Sequence, residues 1–247
     1  MNYLLKVALM TSLLLTLTPQ RPIYASHLEQ RTLSKRLENA LNKKDIDPLI
    51  DLLPEKDGIH LASRYKTFLQ AFPNAKWTIK ETKPLKDGRQ SWEILITAQT
   101  KLQNDQYSIS SRQVLGVTTL EGRITNKEII SEETIIQKGK SPLQISLNMP
   151  EAVLTGTNYD LDIVLEKPLG DAIIAGGLSP LNAEQIENQL SPSIEISPLG
   201  GGGLFKSVKA PLKAGVQNWA AVLAHPEGLI SITKMVRVVS NESDLEL

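Results

Sequence analysis

The 247-residue sequence contains no cysteine. Disulfides, thiolate metal sites and an acylated lipobox are therefore excluded, and stability has to come from ordinary apolar cores. Histidine is scarce as well. His27, His60 and His225 stand far apart, and none has a second histidine at ligand spacing, which argues against a metal site. Net charge is also missing: Lys plus Arg and Asp plus Glu both number 27, so no overall field draws the chain to nucleic acid or to an anionic membrane. No glycine-flanked serine elbow is present, which argues against a hydrolase triad of that type, and no motif calls for a cofactor. No apolar run reaches the roughly 20 residues that a membrane span needs.

What is present begins with an export signal. "MNYLLK" supplies Lys6, "VALMTSLLLTL" is an apolar core, and "RPIYAS" places Ile23 and Ala25 like the residues before a cleavage site. A signal peptide over residues 1–25 is expected, and with it a soluble exported protein that keeps no stable membrane anchor after cleavage. The periplasm is the expected compartment, with the thylakoid lumen or the extracellular space as alternatives. Removing Lys6 and Arg21 leaves the mature chain close to neutral. Hydrophobic residues at 41% and charged residues at 22% match globular averages, so the remainder can bury a core.

Three helices are predicted first. "SHLEQRTLSKRLENALNKKD" carries Leu33, Leu37, Ala40 and Leu41 at helical spacing, with Ser26 and Glu29 placed like a capping box, which predicts a helix over about 27–43. "DIDPLIDLLP" offers Asp47 as cap, Pro48 at the first helical position and Pro54 as a stop. After "EKDG", the segment "IHLASRYKTFLQAFP" puts Leu61, Tyr65, Phe68 and Phe72 on one stripe. From Trp77 the apolar period changes from 3.6 to 2. "WTIKETKP", "QSWEILITAQTKL", "YSISSRQVLGVTTL" and "RITNKEIISEETII" read as four strands, whose Asp-Gly and Glu-Gly links favour antiparallel hairpins. Helices followed by a bent antiparallel sheet make an α+β layout.

Residues 28–138 resemble the NTF2-like (SnoaL-like) superfamily in this element order, in "FPNAKW" at 72–77 and in "LEGRITNKEIISEE" of the last hairpin. The resemblance implies a cone of bent sheet closed by three helices around a pocket. Members of the superfamily include ketosteroid isomerases, dehydratases and epoxide hydrolases as well as non-catalytic binding or dimerising modules. Its enzymes place Asp, His or Tyr inside the apolar cone, where desolvation moves a pKa toward neutrality. The candidates here are Tyr65, Glu93, Tyr107, Arg112 and Glu132, with Trp77 and Trp92 as walls. Strand parity does not decide which of them face inward.

The polar stretch "QKGKSPLQ" marks a domain boundary, so an α+β domain over 26–138, a linker at 139–142, an all-β domain over 143–240 and a tail at 241–247 are expected. About seven short strand-like runs spaced by Gly, Pro and Asn argue for a β-sandwich in the second domain. "NAEQIENQL" reads as a short helix or a polar loop. "LKAGVQNWAAVLAHPEGLISITKMVRV" resembles the last two strands of bacterial immunoglobulin-like or fibronectin-like domains, through Trp219 and "HPEG" at 225–228. Such modules present loops or edges to protein or polysaccharide partners.

The short motifs are weaker than they look. "PLGGGGLFKSVKAP" at 198–211 lacks the Gly-Lys-Ser order of a phosphate loop and continues as a strand, so Gly200, Gly201, Gly202 and Gly203 form a connection whose neighbour Phe205 is the expected partner contact. Ser63 and Lys66 match a bare Ser-x-x-Lys pattern without its companion motifs. "DIDPLID" lacks the glycine and glutamate of a calcium loop, having Ile50 and Lys56 at those places. Two readings follow. The preferred one is an exported non-catalytic binding or assembly module, its cone dimerising or holding a small ligand and its sandwich contacting an envelope protein or polysaccharide. The other is a small-molecule hydrolase, isomerase or lyase using general acid/base groups in the cone. A cone plugged by its own side chains favours the first; a dry pocket with a buried carboxylate or histidine beside a tyrosine favours the second.

Overall fold

A computed structural model describes residues 27–139, 143–166, 172–188 and 190–247, without the side chains of 27–32 and 55–56. The expected signal peptide and residues 140–142 of the expected linker lie outside the described residues. The elements are helices α1 (His27–Lys43), α2 (Asp47–Leu52), α3 (Glu55–Ala71) and α4 (Ala183–Glu187). Strands β1 (Lys76–Thr82), β2 (Gln90–Leu102), β3 (Asp105–Leu120) and β4 (Arg123–Gly139) follow α3, and β5 (Ile145–Asn148), β6 (Ala152–Leu154), β7 (Asn158–Leu165) and β8 (Ile174–Leu181) precede α4. Last come β9 (Ser197–Leu199), β10 (Gly203–Lys209), β11 (Gly215–His225) and β12 (Gly228–Val239). The described chain divides into two compact units, one holding residues 27–100 and 110–132, the other holding 101–109 and the described residues from 133 to 247.

In the first unit, hereafter the helical unit, α1 buries Leu33, Leu37, Ala40 and Leu41, and α3 buries Leu61, Tyr65, Phe68 and Phe72, the stripes that their spacing predicts. The helix α3 begins earlier than "EKDG" suggests. A Cβ on Gly58 would stand 2.9 Å from the Ile50 Cα, so the missing side chain lets α3 start against the backbone of α2. Asp47 is not a cap: the residue before α2 is Ile46, with no side-chain cap bond. Strands β1 to β4 lie in sequence order. Glu121 and Gly122, with φ of 50° and 71°, form the left-handed pair that a tight hairpin between β3 and β4 requires.

The strand β1 is an edge, and α1 covers it with a row of polar side chains one turn apart. Asn42 accepts from the Trp77 N–H at 2.9 Å and donates to the Trp77 carbonyl at 2.8 Å. Glu38 accepts from the Ile79 N–H at 2.8 Å, and Ser34 donates to Glu81 at 2.8 Å. Burial raises the Glu38 pKa, but the Ile79 N–H and the bond and charge of Lys35 outweigh it and hold the carboxyl below its ordinary value. The helix thereby occupies the outward N–H and C=O of Trp77 and the N–H of Ile79, and holds the Glu81 side chain.

The second unit is a β-sandwich. One sheet runs β4-β12-β11-β8-β9, with β6 parallel to the end of β12, and the other runs β10-β7-β5. Their facing sides share one core, built from Tyr159, Leu161 and Ile163 on one side and from Trp219, Ala221, Leu223, Ile230 and Ile232 on the other. The segment 182–190 opens with the short helix α4, whose Asn182 and Gln185 form a capping box. Gly139 faces Gly228 where β4 meets β12, and a Cβ on Gly228 would stand 2.3 Å from the Lys138 carbonyl oxygen.

The expected α+β cone of three helices on a bent sheet does not form. The described chain is mostly β, with twelve strands against four α-helices. The physical reason is where β4 goes: its residues 123–132 belong to the helical unit, but the strand continues to Gly139 in the other unit. Beyond the helices β4 finds a different neighbour: Glu133–Gly139 pair with β12.

Candidate functional site

A cavity inside the helical unit measures about 30 Å³ and is lined by Leu37, Leu41, Trp77, Ile94, Leu115 and Lys127, among others. Such a volume holds about one water. Trp77 meets Tyr65 and Phe68 edge-on, with ring centroids 6.0 Å and 5.8 Å apart. The Trp77 indole N–H is buried without a partner among the described residues, while the other polar groups here are committed to structure. Lys127, whose side chain is only 6% exposed, donates to Asp57 at 2.5 Å, and Gln113 donates to Glu132 at 3.2 Å. The Tyr65 hydroxyl donates to the Leu41 carbonyl, and burial pushes its pKa up to about 12, away from any role as a base near neutrality.

The sequence-predicted pocket residues are not brought together. Tyr65 is buried between α1 and the sheet. Glu93 and the exposed Arg112 form a 2.6 Å ion pair across β2 and β3. Glu132 is buried against Gln113. Tyr107 belongs to the sandwich unit, beside the Lys138–Asp105 pair. Of the two expected walls, Trp77 lines the cavity, while Trp92 is core with its indole N–H on Gln90 at 3.3 Å. Lys127, the one cation at the cavity among the described residues, escapes parity reasoning because the burial pattern of β4 breaks its alternation between Ile124 and Ile129.

In the sandwich the glycine run crosses from β9 in one sheet to β10 in the other. Two of the four glycines are required by the backbone. Gly202 has φ +75° and its carbonyl accepts from the Leu165 N–H at 3.0 Å; a Cβ on Gly203 would stand 2.6 Å from the Ile163 carbonyl oxygen. Phe205 is not at the tip of the loop. It lies two residues into β10, 60% exposed, with its ring edge beside Gly201 and Gly203. The next residue, Lys206, holds its ammonium 5.7 Å from the ring centroid of Trp219. Below it the Trp219 N–H donates to the Tyr159 hydroxyl at 3.1 Å, which donates to Gln217 at 2.8 Å. Burial raises the Tyr159 pKa despite the Trp219 N–H.

The strand β10 has one neighbour among the described strands, β7, and its other edge is open. The bonds Leu165 N–H to Gly202 and Ala210 N–H to Thr157 identify the even-numbered residues as those bonded to β7. The N–H and C=O groups of Gly203, Phe205, Ser207 and Lys209 therefore point to the open edge.

A second concavity in the sandwich unit, about 1090 Å³ and open to solvent, lies between the β2–β3 turn, the end of β4 and the β11–β12 turn. Lys101, Asp105, Lys138, His225 and Glu227 line it. Lys138 bonds Asp105 at 2.7 Å, which is the main cause of its raised pKa, and the His225 Nδ1 accepts from the Glu227 N–H at 3.1 Å. Both signs of charge are present and partly cancel. Among the described residues no group of three or more His, Asp or Glu is placed to hold a metal ion, and no helix is long and apolar enough to cross a membrane.

A comparison with curated proteins gave no match. Residues 140–239 match the family model of a domain of unknown function, DUF8623, a segment that takes in strands β5 to β12.

Proposed function

We propose that the chain is an exported, non-catalytic binding or assembly module whose sandwich unit contacts a protein or polysaccharide partner. The observation that carries this reading is the small size of the cavity beside Trp77 and Lys127, where the expected pocket residues do not converge. A small-molecule enzyme of the kind weighed from the sequence needs room for a substrate beside a titratable group. That cavity offers about 30 Å³, and Tyr65, Lys127 and Glu132 are each engaged in a structural hydrogen bond. The sandwich, in contrast, leaves Phe205 and the edge of β10 in solvent.

The test is site-specific photo-crosslinking in the native envelope. A crosslinker at position 205 is expected to capture a macromolecule, and one at the exposed Leu120 of the helical unit is expected to capture none. An NMR fragment screen of the purified protein provides the opposing result: a small molecule that shifts Trp77 and Leu115 together while position 205 captures nothing would sink this reading.

A further inference from the structure

The open edge of β10 carries more information than exposure alone. Sheet edges elsewhere in the described chain are short or closed: β1 is covered by the Ser34, Glu38 and Asn42 row, β9 has three residues including Pro198, and β5 has four. In contrast β10 offers seven residues, no proline, and four residues whose backbone groups face outward. Charge is one-sided here. From Gly200 to Gln217 the chain carries Lys206, Lys209 and Lys213 and no acidic residue. The nearest carboxylates on the same sheet, Asp160 and Asp162, sit on β7, on the far side of β10 from the open edge.

We infer that the open edge of β10 is a docking site for an extended, acidic segment of a partner polypeptide, which adds to the sheet β10-β7-β5 as a fourth strand. This rests on the binding-module reading and names its partner chemistry. Backbone bonds to Phe205, Ser207 and Lys209 supply affinity. Phe205 offers an apolar neighbour to a side chain on the outer face, and Lys206 and Lys209 select carboxylates on either side of the added strand. A second copy of this chain is the poorer occupant: antiparallel pairing of β10 with itself brings Lys206 and Lys209 against lysines or leaves them without counter-charge.

The test uses the purified protein and two capped heptapeptide probes, Glu-Val-Thr-Glu-Leu-Val-Glu, which carries carboxylates on both faces of an extended strand, and its counterpart with lysine at every glutamate. Residue-resolved amide exchange is read by NMR. The acidic peptide is expected to slow exchange at Phe205, Ser207 and Lys209 by about tenfold or more, while Leu204, Lys206 and Val208, already bonded to β7, change little. The lysine peptide is expected to do nothing. Ser207→Pro removes an outward N–H without touching the β7 ladder, so it is expected to abolish the protection and leave the melting temperature nearly unchanged. Phe205→Glu, which keeps the backbone, is expected to weaken binding about tenfold. Equal protection by both peptides, protection confined to other residues, or no protection at all overturns the edge site. Any of these results leaves the crosslinking test at position 205 standing by itself, so failure of the edge and failure of the binding-module reading are told apart.

Discussion

Lys234 gives the sharpest test of how the sandwich is held together. Its side chain is 2% exposed and meets Glu133 at 3.2 Å and Glu151 at 2.5 Å, whereas those glutamates are 33% and 42% exposed. At an effective dielectric of roughly 20 these contacts attract by about 5 and about 7 kcal/mol, against a desolvation cost of several kcal/mol for each of the three ions. The terms nearly cancel, so the cluster adds little net stability, yet its two halves are not equivalent. Glu133→Gln/Glu151→Gln leaves a buried cation without counter-charge and is expected to cost about 3–5 kcal/mol. Lys234→Met leaves two carboxylates that already reach water, and its apolar side chain stays beside the core strip of Ile232 and Val236, so about 1 kcal/mol or less is expected. At roughly 2–4 °C per kcal/mol for a chain of this size, the melting temperature falls by about 6–20 °C in the first case and by under about 4 °C in the second. Urea denaturation followed by tryptophan fluorescence reports directly, since Trp219 is the cross-strand partner of Lys234. If Lys234→Met is as damaging as the double glutamine variant, the asymmetry drawn from exposure is wrong.

Gly58→Ala tests the α2–α3 approach: an exposed helical glycine gains up to about 1 kcal/mol on becoming alanine, but here the new methyl stands 2.9 Å from the Ile50 Cα, so calorimetry is expected to show a net loss of about 1–3 kcal/mol. Gly228→Ala drives a methyl to 2.3 Å from the Lys138 carbonyl oxygen; amide exchange is expected to accelerate at the β4–β12 end, with a loss of about 3 kcal/mol. The pH profile has two limbs. Glu38 titrates below its unfolded value, so its contribution is complete above about pH 4.5 and is lost as pH falls through the folded pKa, a loss that Glu38→Ala removes from the acid limb of a thermal-stability series. Tyr65 titrates at about 12 against 10 unfolded, so its contribution is complete below pH 10 and is lost as pH rises toward 12; Tyr65→Phe is expected to flatten that alkaline limb.

Much of the local structure is written in the periodicity, because a helix stripe or a tight hairpin is decided within a few residues. Leu33, Leu37 and Leu41, or Leu61, Tyr65 and Phe68, need only the 3.6-residue period to find a common face, and Glu121-Gly122 needs only two residues able to adopt positive φ. Gly58 shows where this stops. In "EKDG" it reads as a turn, since glycine weakens a helix, yet its lack of a Cβ is used by the backbone of another helix. The fold-class expectation failed for the same reason on a larger scale. The strand pattern identifies β4 as far as Ile136 and leaves "QKG" to the boundary, but nothing in "EETIIQKG" says that its partner is β12, nearly a hundred residues later.

The two sheet edges give the functional side of this limit. Ser34, Glu38 and Asn42 are ordinary polar residues flanking the apolar stripe of a helical wheel, and only tertiary placement turns them into partners of the β1 edge. The stretch "PLGGGGLFKSVKAP" draws attention through its glycines, two of which answer to plain backbone needs at Leu165 and Ile163. The residues that matter for a partner come after them. Which backbone groups of β10 point outward depends on its register with β7, and a shift of one residue would turn Phe205 inward and the other set of amides to solvent. The exposed aromatic, the lysines and the outward amides therefore coincide on one edge only because that register is fixed by Leu204 and Val208 packing into the sandwich core.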